Sequence, residues 1–339
     1  MLVYAYLSGE HRELPILELK SLMEAEDVEY KEVYVFDQVA LIEVHDDRLF
    51  NVLSSRAVLT KYAGYLLGLI ESDGDVHNIL KALKNSKLCE LGGYSKVNFK
   101  RVKTYGLGIK YEDLITEINR SSASLCKNVE GSYLDIILTE GVAVLGLRKF
   151  TRSLADLRSR EPTSRPVYRP GTMTPYWARV FVNLSRASVS KKHLLLDPFC
   201  GVGGFLLESC AMGLKYCGLD INEDYVKGAV ENLTYFNCEP NVVVGDACKL
   251  PFDKVDAVAT DPPYGRLTKP SGVNDLLELT KCFIEELSKV LKDGGYAVFA
   301  QRSDIPVEEF IEGFGLKLVD RVLNWVHGSL TRSIYVVRK

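Results

Sequence analysis

Short apolar runs and amphipathic stretches alternate along the second half of the chain. Runs of strand character lie at His193–Asp197, Lys215–Leu219, Asn241–Val244, Val255–Thr260, Tyr296–Ala300, Lys317–Leu323 and Ser333–Val337. Between them, apolar positions recur with a helical period at Gly203–Met212, Asn222–Phe236, Gly272–Leu291 and Pro306–Gly313. Regular strand–helix alternation predicts an α/β unit: a seven-stranded, mainly parallel sheet with helices on both faces. No helical pattern separates the last two strands, which predicts an antiparallel hairpin at one side.

The first half is more mixed. Leu2–Leu7, Glu32–Phe36 and Ala40–Val44 read as strands around a helix at Leu14–Ala25. Helices at Ala57–Leu69 and Asp75–Leu83 follow, then a strand at Val97–Thr104, a helix at Tyr111–Cys126, and strands at Tyr133–Leu138 and Val142–Leu147. These are two small α+β pieces in series, without an internal repeat. They hold no acid/base pair or metal cluster, so they read as a binding module. The polar stretch Ser159–Pro166 carries two prolines and no apolar period, and reads as a linker between the halves.

Length and composition add bounds. A chain of 339 residues suggests about two domains at ~150 residues each. With 47% hydrophobic and 26% charged residues it is an ordinary globular sequence, which excludes global disorder and collagen. No run approaches the ~20 apolar residues of a membrane helix, and Met1–Glu10 lacks the basic flank and apolar region of a signal peptide. We expect no membrane partner and a cytoplasmic location. The eight cysteines form no CxxC pair, so the expectation is reduced, buried thiols and no metal site. The net charge of −3 conceals a segregation: residues 1–50 carry −8, residues 51–200 carry +10 and residues 201–339 carry −5. Arg148 to Lys192 holds eleven basic residues against two acids. Arginine forks pair with phosphates, so Arg148, Arg152, Arg158, Arg160 and Arg165 are candidate contacts to a nucleic-acid backbone, with a solvated linker as the competing reading.

The chemistry concentrates at strand ends. The run Leu194–Asp197 leads into Pro198-Phe199-Cys200-Gly201-Val202-Gly203-Gly204 and then a helix, a turn whose glycines let the backbone approach a ligand. Leu206 replaces the third glycine of the dinucleotide motif, and no lysine follows in phosphate-loop spacing. Asp197 before the turn repels a phosphate but suits an ammonium, which points to S-adenosylmethionine, a cofactor with a zwitterionic amino-acid end and a cationic sulfonium. Asp220 ends the next strand, where a carboxylate can accept ribose hydroxyls, and Gly245-Asp246-Ala247 ends the third, where an acceptor can read the adenine amine. The candidate cofactor residues are Thr172, Asp197, Phe199, Cys200, Gly201, Gly203, Asp220, Ile221, Asp246, Ala247 and Asp261.

The fourth strand ends in Asp261-Pro262-Pro263-Tyr264. The prolines fix φ and stiffen the turn. A carboxylate, a free carbonyl and an aromatic ring in one rigid turn form a receptor for a planar exocyclic amine, which makes Asp261, Pro262 and Tyr264 the candidate catalytic set. A base inside a helix reaches such a turn only when flipped out, at a cost of a few kcal/mol that binding elsewhere must offset.

At Asp197–Gly203, Asp220, Asp246 and Asp261–Tyr264 the chain resembles the Rossmann-fold, S-adenosylmethionine-dependent amino-methyltransferases. The segment Pro170-Gly171-Thr172-Met173-x-Pro175-x-x-Ala178-Arg179-x-x-Val182-Asn183-Leu184 is similar to one in the archaeal tRNA (guanine-10-N2)-dimethyltransferases. That resemblance implies that Thr172 lies over the cofactor. It also implies a ferredoxin-like piece at 1–45, an RNA-binding THUMP domain at 46–147, a basic linker at 148–169 and a methyltransferase domain at 170–339. The implied substrate is tRNA, and some relatives work with a small zinc-binding activator subunit. Tyr176-Trp177 and Arg169 depart from the family pattern. Methylation of guanosine 10 at N2, to the mono- or dimethyl product, is the leading expectation. Another tRNA guanosine (position 6), ribosomal RNA, or RNA binding with a vestigial pocket are the alternatives.

Overall fold

The strands of this computed structural model, which describes residues 1–72, 75–106, 108–128, 130, 132–264, 276–327 and 330–339, form two seven-stranded sheets. The chain divides into two units, Met1–Leu19 with Asp27–Arg152, and Lys20–Glu26 with Ser153–Lys339. No helix among the described residues is long and apolar enough to cross a membrane.

The first sheet is built from β1 (Leu2–Leu7), β2 (Tyr30–Phe36), β3 (Val39–Val44), β4 (Thr60–Glu71), β5 (Tyr94–Arg101), β6 (Ser132–Thr139) and β7 (Val142–Thr151). Its helices are α1 (Leu14–Ala25), α2 (Arg48–Arg56), α3 (Val76–Lys84) and α4 (Tyr111–Arg120). The strand order is β2-β3-β1-β4-β7-β6-β5, with β5 and β6 parallel and the other neighbours antiparallel. The expected helix at Ala57–Leu69 is instead β4, and the helix lies just before it in α2. β4 lies between β1 and β7 and carries apolar residues on both faces, Leu66 packing against one core cluster and Leu67 against another, so its run lacks strict alternation and resembles a helical stretch. Gly64 allows the close pairing with β7, because any side chain there meets the Leu147 carbonyl oxygen. Through β4 the two expected pieces share one continuous sheet.

The second sheet uses β8 (Leu194–Asp197), β9 (Lys215–Asp220), β10 (Val242–Val244), β11 (Val255–Thr260), β12 (Leu291–Arg302), β13 (Lys317–His327) and β14 (Leu330–Arg338). The helices are α5 (Ala155–Ser159), α6 (Pro175–Leu184), α7 (Gly204–Ala211), α8 (Glu223–Tyr235), α9 (Leu276–Val290) and α10 (Val307–Gly313). The order is β10-β9-β8-β11-β12-β14-β13. The first five strands run parallel, and β14 is antiparallel to both neighbours, as the missing helix requires. Leu196, Leu219, Val258, Phe283 and Phe299 are buried in its core. Leu279, Phe283, Leu287 and Val290 give α9 its buried stripe. The expected start of that helix at Gly272 lies outside the described residues.

Two expectations give way. The basic segment 148–169 is not an extended linker: β7 runs to Thr151, α5 and a 3₁₀ turn at Pro162–Ser164 follow, and Leu157 and Pro162 are buried. Nor are the cysteines all reduced. Cys89–Cys126, Cys210–Cys238 and Cys248–Cys282 are disulfides, and Cys200 and Cys217 are free. The partners lie 37, 28 and 34 residues apart, so packing of separate elements brings them together and local spacing does not announce them. Closing loops of that size restricts the unfolded chain by roughly 3–4 kcal/mol each in the chain-entropy account.

Candidate active site

The strand order reverses at β8: β9 and β10 lie on one side, β11 and β12 on the other. Such a switch point opens a crevice beyond the strand carboxyl ends. A cavity of about 640 Å³ occupies it. Of the eleven candidate cofactor residues, nine line this cavity, and Asp197 and Gly203 do not. Pro262 and Tyr264 line it too, so cofactor and catalytic candidates share one space.

Local chemistry explains the loop. Gly201 (φ 51°) and Gly203 (φ 88°) hold left-handed conformations that a side chain disfavours. A Cβ on Gly201 would point into open space, so backbone itself forms that wall. Leu206 does not obstruct the turn, because Gly218 on β9 gives it room: a Cβ there would lie 2.7 Å from Leu206 Cδ1 and 2.9 Å from Cys200 Cβ. The Gly201 N–H donates to Asp220 Oδ2 and the Asn222 N–H to Asp220 Oδ1, each at 2.9 Å. Both oxygens keep lone pairs for ribose hydroxyls. Asp246 Oδ1 accepts from the Cys248 N–H at 2.9 Å, which fixes the turn beside Ala247. The Thr172 hydroxyl donates to the Arg169 carbonyl at 2.7 Å, placing Thr172 on the wall.

Asp197 is wholly buried. Its Oδ1 accepts from the Thr260 hydroxyl at 2.6 Å and the Phe199 N–H at 3.2 Å. Oδ2 has no hydrogen-bond partner among the described residues. Burial, and then the nearby Asp220 and Asp261 carboxylates, push its pKa up to about 7. Such a cluster of carboxylates disfavours its own ionisation and is relieved by a cation. An S-adenosylmethionine molecule, with its sulfonium and ammonium, fits that demand.

At the reacting end, the Tyr264 hydroxyl donates to Asp261 Oδ1. Arg332 on β14 donates through Nη1 to Asp261 Oδ1 at 3.3 Å and to the Tyr264 oxygen at 3.0 Å. Burial raises the Asp261 carboxyl above its ordinary value, while Arg332 and Tyr264 pull it back. Neither Arg332 nor Thr260 stands out in the sequence, the first because its partner is 71 residues away on another strand.

The candidate backbone-contacting arginines separate by environment. Arg158 is exposed. Arg160 is 6% exposed and donates to Glu208 at 2.8 Å and Asp156 at 2.6 Å. Arg179 also donates to Glu208, at 2.8 Å. Arg165 is 6% exposed and gives its Nε–H to the Arg160 carbonyl at 2.9 Å. In the first unit, Arg148 is engaged with Asp135 and its guanidinium lies 4.1 Å from the Tyr62 ring centroid. Arg152 donates to the Val58 carbonyl. Arg160 and Arg165 are therefore structural, a correction that follows from burial: a phosphate backbone cannot reach them.

Comparison with known proteins agrees with this geometry. The family model UPF0020 (RMKL-like, methyltransferase domain) matches residues 162–334. The chain is similar to the tRNA (guanine(10)-N2)-dimethyltransferase of Pyrococcus abyssi, 40% identical over 54% of this chain and 54% of the relative. It is also similar to the protein of that name from Methanothermobacter thermautotrophicus, 28% identical over 98% of each chain. The crystal structure of TrmN from Thermus thermophilus shares the fold with TM-score 0.55 at 18% identity, covering all of both chains.

Proposed function

We propose that this chain, which belongs to the RMKL-like methyltransferase family and stands within it among the archaeal tRNA (guanine(10)-N2)-dimethyltransferases, methylates the exocyclic N2 amine of guanosine 10 in tRNA. The observation that carries this is the convergence of the Asp261–Tyr264 turn with Gly201, Asp220 and Asp246 in one cavity at the strand ends.

S-adenosylmethionine, when bound, supplies an electrophilic methyl group on its sulfonium. Asp220 holds the ribose and Asp246 with Ala247 the adenine. Thr172 covers the cofactor, and Asp197 places negative charge behind the loop that faces its amino-acid end. Asp261 accepts an N–H of the target amine, orients the nitrogen lone pair and takes up the positive charge that develops there. The proton then leaves the nitrogen for an Asp261 oxygen. Tyr264 stacks on the guanine, and Pro262 keeps the turn rigid. The amine is conjugated and a weak nucleophile, so orientation is the main contribution, and well-placed reactants gain ~7–11 kcal/mol from it.

The base is flipped out of its helix, which requires grip elsewhere. We assign that grip to the ferredoxin-like piece at 1–45 and the THUMP domain at 46–147, aided by Arg158. The chain acts in the cytoplasm, and no step above calls on a zinc-binding activator subunit. Activity that returns only when such a subunit is added would revise that point.

The test pairs Asp261→Ala with Asp220→Ala. Asp261→Ala loses turnover by about a hundredfold or more while cofactor affinity by calorimetry changes by less than about tenfold. Asp220→Ala weakens cofactor binding by about tenfold or more, the loss of a charged hydrogen-bond acceptor. Retained turnover in Asp261→Ala, or unaltered affinity in Asp220→Ala, overturns the assignment of that residue.

A further inference from the structure

Asp261 in this structure is not waiting with free acceptors. Its Oδ1 accepts from both Tyr264 and Arg332, and Oδ2 lies 3.5 Å from Arg332 Nη1. Arg332 comes from β14, on the antiparallel hairpin, and only 7% of it is exposed. It is held from two further sides: Nε donates to Asn324 Oδ1 at 3.2 Å, and the guanidinium lies 5.7 Å from the Phe181 ring centroid. Asn324 sits opposite Arg332 in the β13–β14 register, so the sheet itself fixes the fork. A buried arginine with one face braced by its own hairpin and one nitrogen shared between a carboxylate and a phenol is a built arrangement.

We infer that Arg332 is the positioning residue of the catalytic turn: it anchors the Asp261 carboxylate and the Tyr264 hydroxyl so that an incoming amine replaces Tyr264 on Asp261 without the carboxylate moving. The inference rests on the methyltransfer reading above. Two requirements of that reading meet here. The amine needs an ionised acceptor, yet Asp261 is buried near the Asp197 carboxylate, and burial raises its carboxyl. Of the titratable groups facing it among the described residues, Tyr264 from its own turn, Asp197 from the neighbouring strand end and Arg332 from β14, only Arg332 is a cation. The second requirement is that Tyr264 must release Asp261 when the amine arrives. The Arg332 Nη1 contact with the Tyr264 oxygen, at 3.0 Å, keeps the ring in place through that exchange.

The measurement is tRNA methylation by the full chain carrying Arg332→Gln or Arg332→Lys, as kcat and KM across pH, with melting temperature and cofactor affinity recorded beside them. Removing an adjacent guanidinium raises a carboxyl by about 1–3 pH units. In Arg332→Gln the acid limb of kcat therefore moves up by that amount, and kcat below the new limb falls about tenfold per unit. KM for tRNA and cofactor affinity stay within about threefold, changes too small to carry the effect. Arg332→Lys, which keeps the charge, returns most of the limb. If Arg332→Gln does not fold, Asn324→Ala, which removes the acceptor at Nε, moves the limb in the same direction by less. An unmoved acid limb, a loss confined to KM, or a lysine variant no better than glutamine overturns the inference. A wild-type chain without methyl transfer overturns the functional reading instead.

Discussion

The Thr260 hydroxyl donates to Asp197 Oδ1 at 2.6 Å, tying the residue before the catalytic turn to the carboxylate under the cofactor loop. One strand end thus braces the other, and the bond is wholly buried. Thr260→Val keeps the shape and removes the donor. Asp197 Oδ1 then keeps only the Phe199 N–H; losing the shorter hydrogen bond to a buried carboxylate costs about 1–3 kcal/mol, and Asp197 becomes harder to ionise. Denaturant unfolding should show that loss, and calorimetry at pH 7 should show weaker cofactor binding. Unchanged values in both would mean that the bond is incidental.

Cofactor affinity should depend on pH through Asp197. Its carboxyl titrates at about 7 in the free protein, raised by burial and by the neighbouring carboxylates. A bound cation favours the ionised form, so the bound state has the lower value and binding releases a proton. The sign follows: affinity is full above pH 7 and falls about tenfold per unit below it. Between pH 8 and pH 6 the dissociation constant should rise about tenfold, and Asp197→Asn should flatten the profile. A flat wild-type profile would show that Asp197 stays ionised without the cofactor.

Arg158 and Arg160 lie two residues apart and should behave oppositely. Arg160 is buried against Glu208, which is wholly buried. Arg160→Ala leaves Glu208 with Arg179 as its cationic partner and should cost roughly 1–3 kcal/mol of stability. Arg158 is exposed, and Arg158→Ala should leave stability within about 0.5 kcal/mol while lowering the salt slope of tRNA binding by about one. An unchanged slope would place the RNA path elsewhere.

The strand ends were legible because each carboxylate follows a short apolar run. Asp197, Asp220, Asp246 and Asp261 each stand at or just beyond such a run, and four parallel strands adjacent in the sheet bring those ends side by side. Ala57–Leu69 reads as a helix because β4 carries apolar residues on both faces and so shows no strict alternation. The basic segment misled for a different reason. Composition counts charges but not their partners, and Asp156 and Glu208 neutralise Arg160 inside the second unit. Arg332 and the three disulfides depend on contacts across tens of residues, which local spacing does not encode.

The central claim is best tested by incubating the full chain with a tRNA transcript and methyl-labelled S-adenosylmethionine, then mapping the modified nucleotide. We expect label on N2 of guanosine 10 and none in a transcript carrying adenosine at that position. Label that persists in the substituted transcript would contradict the assignment of guanosine 10, and a transcript that gains no label at all would contradict the enzyme.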